Sequence, residues 1–177
     1  MMQMKEWIIP LFFCFLVSPV LAGQVCNLTI PQFSNSIYED QGDGTITDKS
    51  SGLTWMVCSL GQTWKNNTCL NNPQGLSYAD AKLAVQKVNE DPKYFYSDWK
   101  LPSLKEMAFI TDMRCKNPRI NLSVFPNTPS NLFWTSSTKL VEGPELQAYA
   151  MHFGEGGLVL SNLNQKYYVR LVRRADL

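Results

Sequence analysis

The chain has 177 residues, of which 45% are hydrophobic and 12% aromatic, and its formal net charge is only +1 at pH 7. A chain of this length is expected to form one domain with a substantial buried core. The near-neutral charge argues against a nucleic-acid partner, which would require a strongly basic surface.

Residues 1–22 have the pattern of a secretory signal peptide. The positive start MMQMK precedes the apolar run WIIPLFFCFLVSPVLA, which ends in small residues of the kind found at cleavage sites. The alternative is a membrane anchor, but the run is shorter than the ~20 residues that a transmembrane helix needs, and it contains Pro19. Because Cys26 comes too late for a lipoprotein signal, no lipid anchor is expected. We predict an exported protein, periplasmic or extracellular, with no transmembrane segment after cleavage.

The four cysteines outside this segment are Cys26, Cys58, Cys69 and Cys115. An even number in an exported chain indicates two disulfides, and four cysteines allow three pairings. Cys58 and Cys69 enclose a short polar segment and are the natural local pair, which leaves Cys26 with Cys115. A zinc site is the alternative, but the chain has no Cys-x-x-Cys spacing and only one histidine.

Residues 23–36 are polar and without a clear period, so we expect an extended lead-in held by Cys26. Two runs of strand-forming residues follow, at 45–47 and 53–58, and glycine-rich turns flank the first of them. Because Asp-Gly favours tight turns, these runs predict a β-hairpin.

Two sequences with the form of a helix capping box predict the helices. Ser77 begins the first, whose apolar residues continue at helical spacing to about Asn89. Ser103 begins the second, with Glu106 three residues later, and we expect that helix to end near Arg114.

The last third of the chain predicts strands, at 132–137, 148–153, 158–160 and 166–174. In the final strand Tyr167, Val169 and Leu171 would share one face, and Arg170, Val172 and Arg174 the other. A hairpin, then two helices, then several strands is the order expected of an α+β domain with a mostly antiparallel sheet.

Four motifs occur in order along the chain: GDGT to GLTW at 42–55, DWKLP to Glu106 at 98–106, FWTSS at 133–137 and YVRLVR at 168–173. In this order they resemble the Lcl C-terminal domain family, named for the collagen-like adhesin of Legionella, over roughly residues 37–174. The insert between Cys58 and Cys69 is similar to one common branch of the family. The resemblance implies a C-type-lectin-like fold, in which two helices pack on a twisted antiparallel sheet and the termini come together. It also implies an exported bacterial binding domain, often an adhesive tip, with no established catalytic residues.

The stretch DQGDGTITD, from Asp40 to Asp48, has the composition of a calcium loop. With Gly44 at the sixth position of an EF-hand loop, the twelfth is Ser50, which cannot supply the bidentate carboxylate. A different calcium loop would use Asp40, Asp43 and Asp48 as oxygen ligands. The alternative is a hairpin turn, which the Asp-Gly chemistry favours. No other cofactor is expected.

Sugar binding by the calcium route of C-type lectins would need Glu-Pro-Asn or Gln-Pro-Asp together with Trp-Asn-Asp, and none of these triplets occurs in the chain. Aromatic side chains offer another route. Trp55, Trp99 and Trp134 lie within the motifs and are expected in the core. Trp64 lies beside Lys65 in the disulfide-closed polar loop, where it would either contact a ligand or pack over the disulfide.

Basic residues form two groups, with Arg114, Lys116 and Arg119 after the second helix and Arg170, Arg173 and Arg174 near the C-terminus. Guanidinium groups pair with sulfate or carboxylate, so an anionic polysaccharide is one candidate ligand. The net charge of +1 favours instead an ordinary solvated charged face.

His152 is the only histidine, and the chain has no Gly-x-Ser-x-Gly sequence to supply a nucleophile. We therefore expect His152 to be structural and the protein to bind rather than catalyse. The first hypothesis is attachment to a glycan or other extracellular polymer. The second is a structural or accessory subunit of an envelope or pilus assembly with a protein partner, and an enzyme comes third. The sequence does not indicate the oligomeric state.

Overall fold

A computed structural model describes residues 23–31, 35–141, 143 and 145–175. The predicted signal peptide, residues 1–22, lies outside the described residues. Within the described ranges, no helix has the length and apolar character needed to cross a bilayer.

This part of the chain contains two α-helices and eleven short β-strands. The helices are α1 (Tyr78–Glu90) and α2 (Leu104–Phe109). The strands are β1 (Val25–Cys26), β2 (Tyr38–Asp40), β3 (Thr45–Asp48), β4 (Leu53–Met56), β5 (Thr63–Lys65), β6 (Thr68–Leu70), β7 (Cys115–Lys116), β8 (Leu132–Leu140), β9 (Leu146–His152), β10 (Leu158–Asn162) and β11 (Val172–Arg174). Short 3-10 helices cover Asn35–Ile37 and Pro92–Tyr94.

The strands form two main sheets, ordered β2-β3-β4-β11 and β8-β9-β10, and two small ribbons, β1-β7 and β5-β6. Every pair of these strands is antiparallel. The predicted hairpin is present as β3 and β4, with Ile46 opposite Trp55. The expected α+β class with antiparallel sheets is therefore confirmed.

Both predicted disulfides are present in the structure. Cys26–Cys115 joins β1 to β7, and Cys58–Cys69 joins the end of β4 to β6. Because all four cysteines are bonded, none of them is available as a zinc ligand.

The helices begin where the sequence predicts. The Ser77 side chain accepts a hydrogen bond from the Asp80 amide, and Ser103 and Glu106 form a complete capping box. The expected end of α2 near Arg114 is wrong, because the helix ends at Phe109. Asp112 accepts a hydrogen bond from the Arg114 amide at 3.0 Å, and such a local turn competes with helical hydrogen bonding.

The C-terminal segment is less regular than the predicted strand. Only its last part, β11, pairs along β4, whereas Tyr167 and Tyr168 form isolated bridges to Leu76 and Phe133. The segment therefore connects the two main sheets, and residues 169–172 are fully buried on both faces.

The three motif tryptophans are core residues, as predicted. Trp55 packs with Phe125 and Phe133 in one cluster, while Trp99 and Trp134 lie in a second. Each cluster contains residues of both main sheets, and the β5-β6 hairpin and the loops at the sheet edges carry the groups described next.

Candidate functional site

Strands β5 and β6 form a hairpin that carries Trp64. Trp64 lies opposite Cys69, whose disulfide to Cys58 fixes the hairpin to the end of β4. Asn66 and Asn67 form its two-residue turn, with φ of 52° and 57°. Two positive φ angles are what a type I′ hairpin turn requires, and asparagine tolerates them well. The sequence predicts only a loop here, although the Asn-Asn pair between strand formers is a signal of the hairpin.

Trp64 packs directly on the backbone of Gly44. A Cβ atom added at Gly44 would lie 2.8 Å from Cδ1 and 2.9 Å from Cγ of the indole. Gly44 has φ +87°, so a glycine is favoured there by the backbone as well as by the contact. Trp64 is half-buried and touches the core cluster around Trp55. It is therefore a fixed aromatic group with part of its surface exposed.

One side of Trp64 borders a cleft of about 100 Å³ that we call the aromatic cleft. Its walls are residues 43–45, Met56, residues 58–62, Trp64 and residues 93–95. The last of these segments contributes Tyr94 and Phe95, so three aromatic side chains border one small opening.

Phe95 is the most unusual of these residues. Its side chain is 71% exposed, and its φ of 60° lies in the left-handed region. A left-handed conformation costs a bulky residue about 1–3 kcal/mol, and such strain is concentrated at functional sites. The Phe95 amide donates to the Pro92 carbonyl at 3.1 Å and so ends the 3-10 helix in this conformation. Sequence reasoning missed Phe95, because backbone strain at one residue leaves no pattern in the sequence.

The polar groups of the aromatic cleft come from Asp43 and Lys93. Oδ1 of Asp43 accepts hydrogen bonds from the amide and the hydroxyl of Thr45, at 2.9 and 2.6 Å. Lys93 forms an ion pair with Asp91 at 2.6 Å and lies 4.7 Å from the centre of the Tyr94 ring. The hydrogen bond to Asp91 raises the pKa of Lys93, which stays charged at neutral pH. A carboxylate and an ammonium group thus lie beside the three rings.

Trp64 also borders a second cleft, of about 300 Å³, which we call the polar cleft. Its walls include Asn35, Tyr38, Asp40, Asn67 and Ser123. The single indole is therefore shared by both clefts.

A family model described as the Lcl C-terminal domain matches residues 44–173 of the chain. The chain belongs to the Lcl C-terminal domain family. No curated protein matches it. The matched region begins at Gly44, on which Trp64 packs, and it includes the Cys58–Cys69 disulfide and Phe95. The predicted bounds of the Lcl domain were 37–174.

The predicted calcium ligands lie at opposite ends of β3. Asp40 is the last residue of β2 and Asp43 lies in the turn between β2 and β3, whereas Asp48 is the last residue of β3. Asp40 accepts from the Gly42 amide, and the buried Asp48 accepts from the amide and hydroxyl of Ser50. Among the residues described, no three His, Cys, Asp or Glu side chains form a group that could hold a metal ion. The geometry supports the turn interpretation, and calcium binding stays a prediction.

The first basic group of the Lcl domain lies apart from the aromatic cleft. Arg114, Lys116 and Arg119 border a groove beside the Cys26–Cys115 disulfide, whereas Lys65 is on the β5-β6 hairpin. Arg114 donates two hydrogen bonds to Asp112, at 3.0 and 2.6 Å, which compensates its charge. Arg119 donates to the Glu155 carbonyl. The structure thus does not join these residues to Trp64 in one site.

The second basic group is largely structural. Arg170 is fully buried, and its guanidinium donates to the carbonyls of Met56 and Val57 and to the Thr128 hydroxyl. Its burial lowers the pKa to about 9, so it remains a cation at pH 7. Both interpretations of Arg170, as a polysaccharide contact and as part of a solvated charged face, are therefore wrong, because the side chain has no access to solvent. Arg173 is also buried and forms an ion pair with Asp98 at 2.6 Å.

His152 has a local structural role in the turn between β9 and β10. Its Nδ1 accepts hydrogen bonds from the amides of Gly154 and Glu155, both at 3.0 Å.

Proposed function

We propose that this Lcl domain is an exported, non-enzymatic binding domain, and that it attaches to a glycan or another extracellular polymer through the aromatic cleft. The observation that carries the proposal is the placement of Trp64 and the exposed Phe95 on one cleft, beside Asp43 and Lys93. Sugar rings have apolar C–H faces that pack on aromatic rings, and hydroxyl groups that hydrogen-bond to carboxylate and ammonium groups.

The rigidity of the cleft supports this function. Trp64 is held by a hairpin, by the Cys58–Cys69 disulfide and by its contact with Gly44. A binding surface that is already ordered loses less conformational entropy when it meets a ligand. The domain can therefore bind through a small contact area.

Three further observations support an exported adhesive role. Residues 1–22 have the pattern of a signal peptide, and two disulfides are typical of oxidising compartments outside the cytoplasm. The family is named for an adhesin, and we propose that its C-type-lectin-like fold applies to this chain. The calcium triplets of sugar-binding C-type lectins are absent from the sequence, so the aromatic cleft would bind without them.

The main alternative is an accessory subunit of an envelope or pilus assembly. The β8-β9 hairpin favours it, because Leu140 lies opposite Leu146 and the two are 66% and 41% exposed. Exposed leucines at the end of a hairpin are suited to a protein partner. On this alternative, Leu140→Lys abolishes crosslinking to an envelope protein and Trp64→Ala does not.

A glycan array probed with the protein lacking residues 1–22 tests the proposal. We expect hits that Trp64→Ala and Phe95→Ala each reduce by tenfold or more, at about 1.4 kcal/mol per tenfold. The matched control is Phe109→Ala, which removes another exposed phenyl group that does not border the aromatic cleft. Hits that are unchanged in both cleft variants would overturn the assignment of the site.

The non-enzymatic part of the proposal has its own test. His152→Ala is expected to leave glycan binding unchanged, apart from a small loss of stability at the β9-β10 turn. Turnover of a bound glycan that disappears in His152→Ala would show an enzyme instead.

A further inference from the structure

Trp64 borders both the aromatic cleft and the polar cleft, and among the described residues no other one lines both. A molecule that occupied both clefts would therefore contact Trp64. The proposed function does not specify the shape of the ligand, and the position of Trp64 between two clefts bears on that shape.

The volume of each cleft is small for a site that encloses a whole ligand. Sites that enclose a small ligand usually measure roughly 300–1,000 Å³. The aromatic cleft, at about 100 Å³, is below that range, and the polar cleft, at about 300 Å³, is at its lower limit. Each cleft is suited to part of a ligand, and the two together are suited to neighbouring parts of a longer one.

The polar cleft offers hydrogen-bonding groups that are already ordered. The Asn35 amide donates to the Ser123 hydroxyl at 3.2 Å, Ser123 donates to Asn121 at 2.7 Å, and Asn121 donates to Asn35 at 2.8 Å. Asn67, in the turn between β5 and β6, also borders this cleft. Amide and hydroxyl groups of this kind bind hydroxyl-rich ligands without requiring a ligand charge.

The two clefts, which share the indole of Trp64, therefore differ in the chemistry of their lining side chains. The aromatic cleft combines rings with a carboxylate and an ammonium group, whereas the polar cleft combines amides, a hydroxyl and Asp40 with apolar side chains that include Ile46, Val57 and Val124. A terminal sugar needs only one cleft, whereas an internal stretch of a linear chain contacts both.

We infer that the two clefts are adjacent subsites for successive units of a linear, hydroxyl-rich polysaccharide, bound as an internal segment across Trp64. This inference rests on the proposed function and adds the class of ligand. Two linked weak contacts behave as one stronger contact, because the second forms at a high effective concentration. The affinity is therefore expected to increase steeply with chain length.

The test measures dissociation constants by calorimetry for three kinds of linear sugar: cello-oligosaccharides, chito-oligosaccharides and oligogalacturonides. They represent neutral, amide-bearing and acidic chains. For the polymer that binds, we expect an oligomer of about four units to bind at least tenfold more tightly than its monosaccharide. Trp64→Ala should abolish binding of both.

Asn67→Gly and Asn66→Gly form a matched pair of variants. Both residues have positive φ in one turn, so glycine keeps the backbone in each, but only Asn67 borders the polar cleft. Asn67→Gly is expected to weaken oligomer binding about fivefold and leave monosaccharide binding unchanged, while Asn66→Gly changes neither. Asn35→Ala, from the other side of the polar cleft, should act like Asn67→Gly.

The outcomes distinguish a failure of the paired subsites from a failure of the proposed function. A monosaccharide that binds as tightly as its oligomer, or an Asn67→Gly variant that binds oligomers normally, overturns the paired subsites and leaves the proposed function standing. An absence of binding both to this panel and to the glycan array, in a protein that is folded by circular dichroism, overturns the proposed glycan binding together with the paired subsites.

Discussion

The indole of Trp64 lies on the backbone of Gly44, a residue twenty positions earlier in the chain, and a single methyl group at Gly44 would occupy the space of the ring. This contact connects the acidic turn between β2 and β3 with the disulfide-bonded hairpin. It also fixes the position of the indole that borders both clefts.

Gly44→Ala is the direct test of that contact. Both the positive φ and the clash with Trp64 oppose a side chain, so we expect a destabilisation of about 1–3 kcal/mol and a displaced indole. Gly42→Ala is the control, since Gly42 has φ +78° but nothing within 4 Å of an added Cβ. Urea denaturation and tryptophan fluorescence would measure the difference. Equal losses in the two variants would mean that the indole contact adds nothing to the cost of positive φ.

Replacement of Phe95 is predicted to weaken ligand binding without lowering the stability of the fold. Phe95→Gly removes an exposed ring and relieves a left-handed strain of about 1–2 kcal/mol, part of which the greater freedom of glycine in the unfolded chain offsets. We therefore expect an unchanged or higher melting temperature together with weaker binding. A lower melting temperature would show that the ring supports the fold, contrary to its assignment as a ligand contact.

The two disulfides are predicted to rank in opposite order for their contributions to stability and to binding. Cys26 and Cys115 are 89 residues apart, Cys58 and Cys69 only 11. The chain-entropy relation gives about 4.7 kcal/mol for a loop of the first kind and about 3 kcal/mol for the second. Replacing Cys58 and Cys69 by serine should therefore lower the stability less than replacing Cys26 and Cys115. It should weaken glycan binding more, because the Cys58–Cys69 pair holds the hairpin that carries Trp64. Paired thermal melts and binding titrations of the two double variants check this, and a larger binding loss in Cys26→Ser/Cys115→Ser would contradict it.

Arg170 connects three parts of the core. Arg170→Met keeps much of the packing volume but leaves the carbonyls of Met56 and Val57 without their donor. We expect a destabilisation of about 3 kcal/mol or more, since hydrogen bonds from charged groups are worth about 1.5–3 kcal/mol each. Arg174→Met, at an exposed position of β11, is the control and should remain within about 0.5 kcal/mol of the parent. Denaturant titration distinguishes the two, and similar values for both would refute the role given to Arg170.

The capping box of α2 predicts a pH dependence. Burial raises the pKa of Glu106, but hydrogen bonds from Lys100 and Ser103 outweigh it and hold the pKa below its usual value. A carboxyl whose pKa is lower in the folded state stabilises above its unfolded pKa, near 4.5, and this contribution is lost as the pH falls through the folded value. The melting temperature of Glu106→Gln should therefore decrease less than that of the parent protein between pH 6 and pH 3. Parallel curves for the two proteins would mean that the carboxylate contributes no such stabilisation.

Much of the fold is predictable from the sequence because it depends on short-range interactions. Ser77 and Ser103 identify the starts of both helices, since a cap is a contact between residues three positions apart. The β3-β4 hairpin and the Cys58–Cys69 pair are recognised from turn chemistry and close spacing. Local patterns were weaker where tertiary contacts decide, as in the interrupted C-terminal strand.

The sequence by itself determined the family, the α+β class and the buried tryptophans of the motifs, and it favoured the disulfide pairing that the structure shows. It also singled out Trp64 as a candidate contact. Only the tertiary structure decided what surrounds Trp64, because Gly44, Phe95 and Asn67 come from separate loops that the sheets and the disulfide bring together. It also decided that Arg170 is buried and that Asp48 lies apart from Asp40 and Asp43. The physical reason is that a site depends on the distances between distant parts of the chain, whereas sequence patterns report mainly on neighbouring residues.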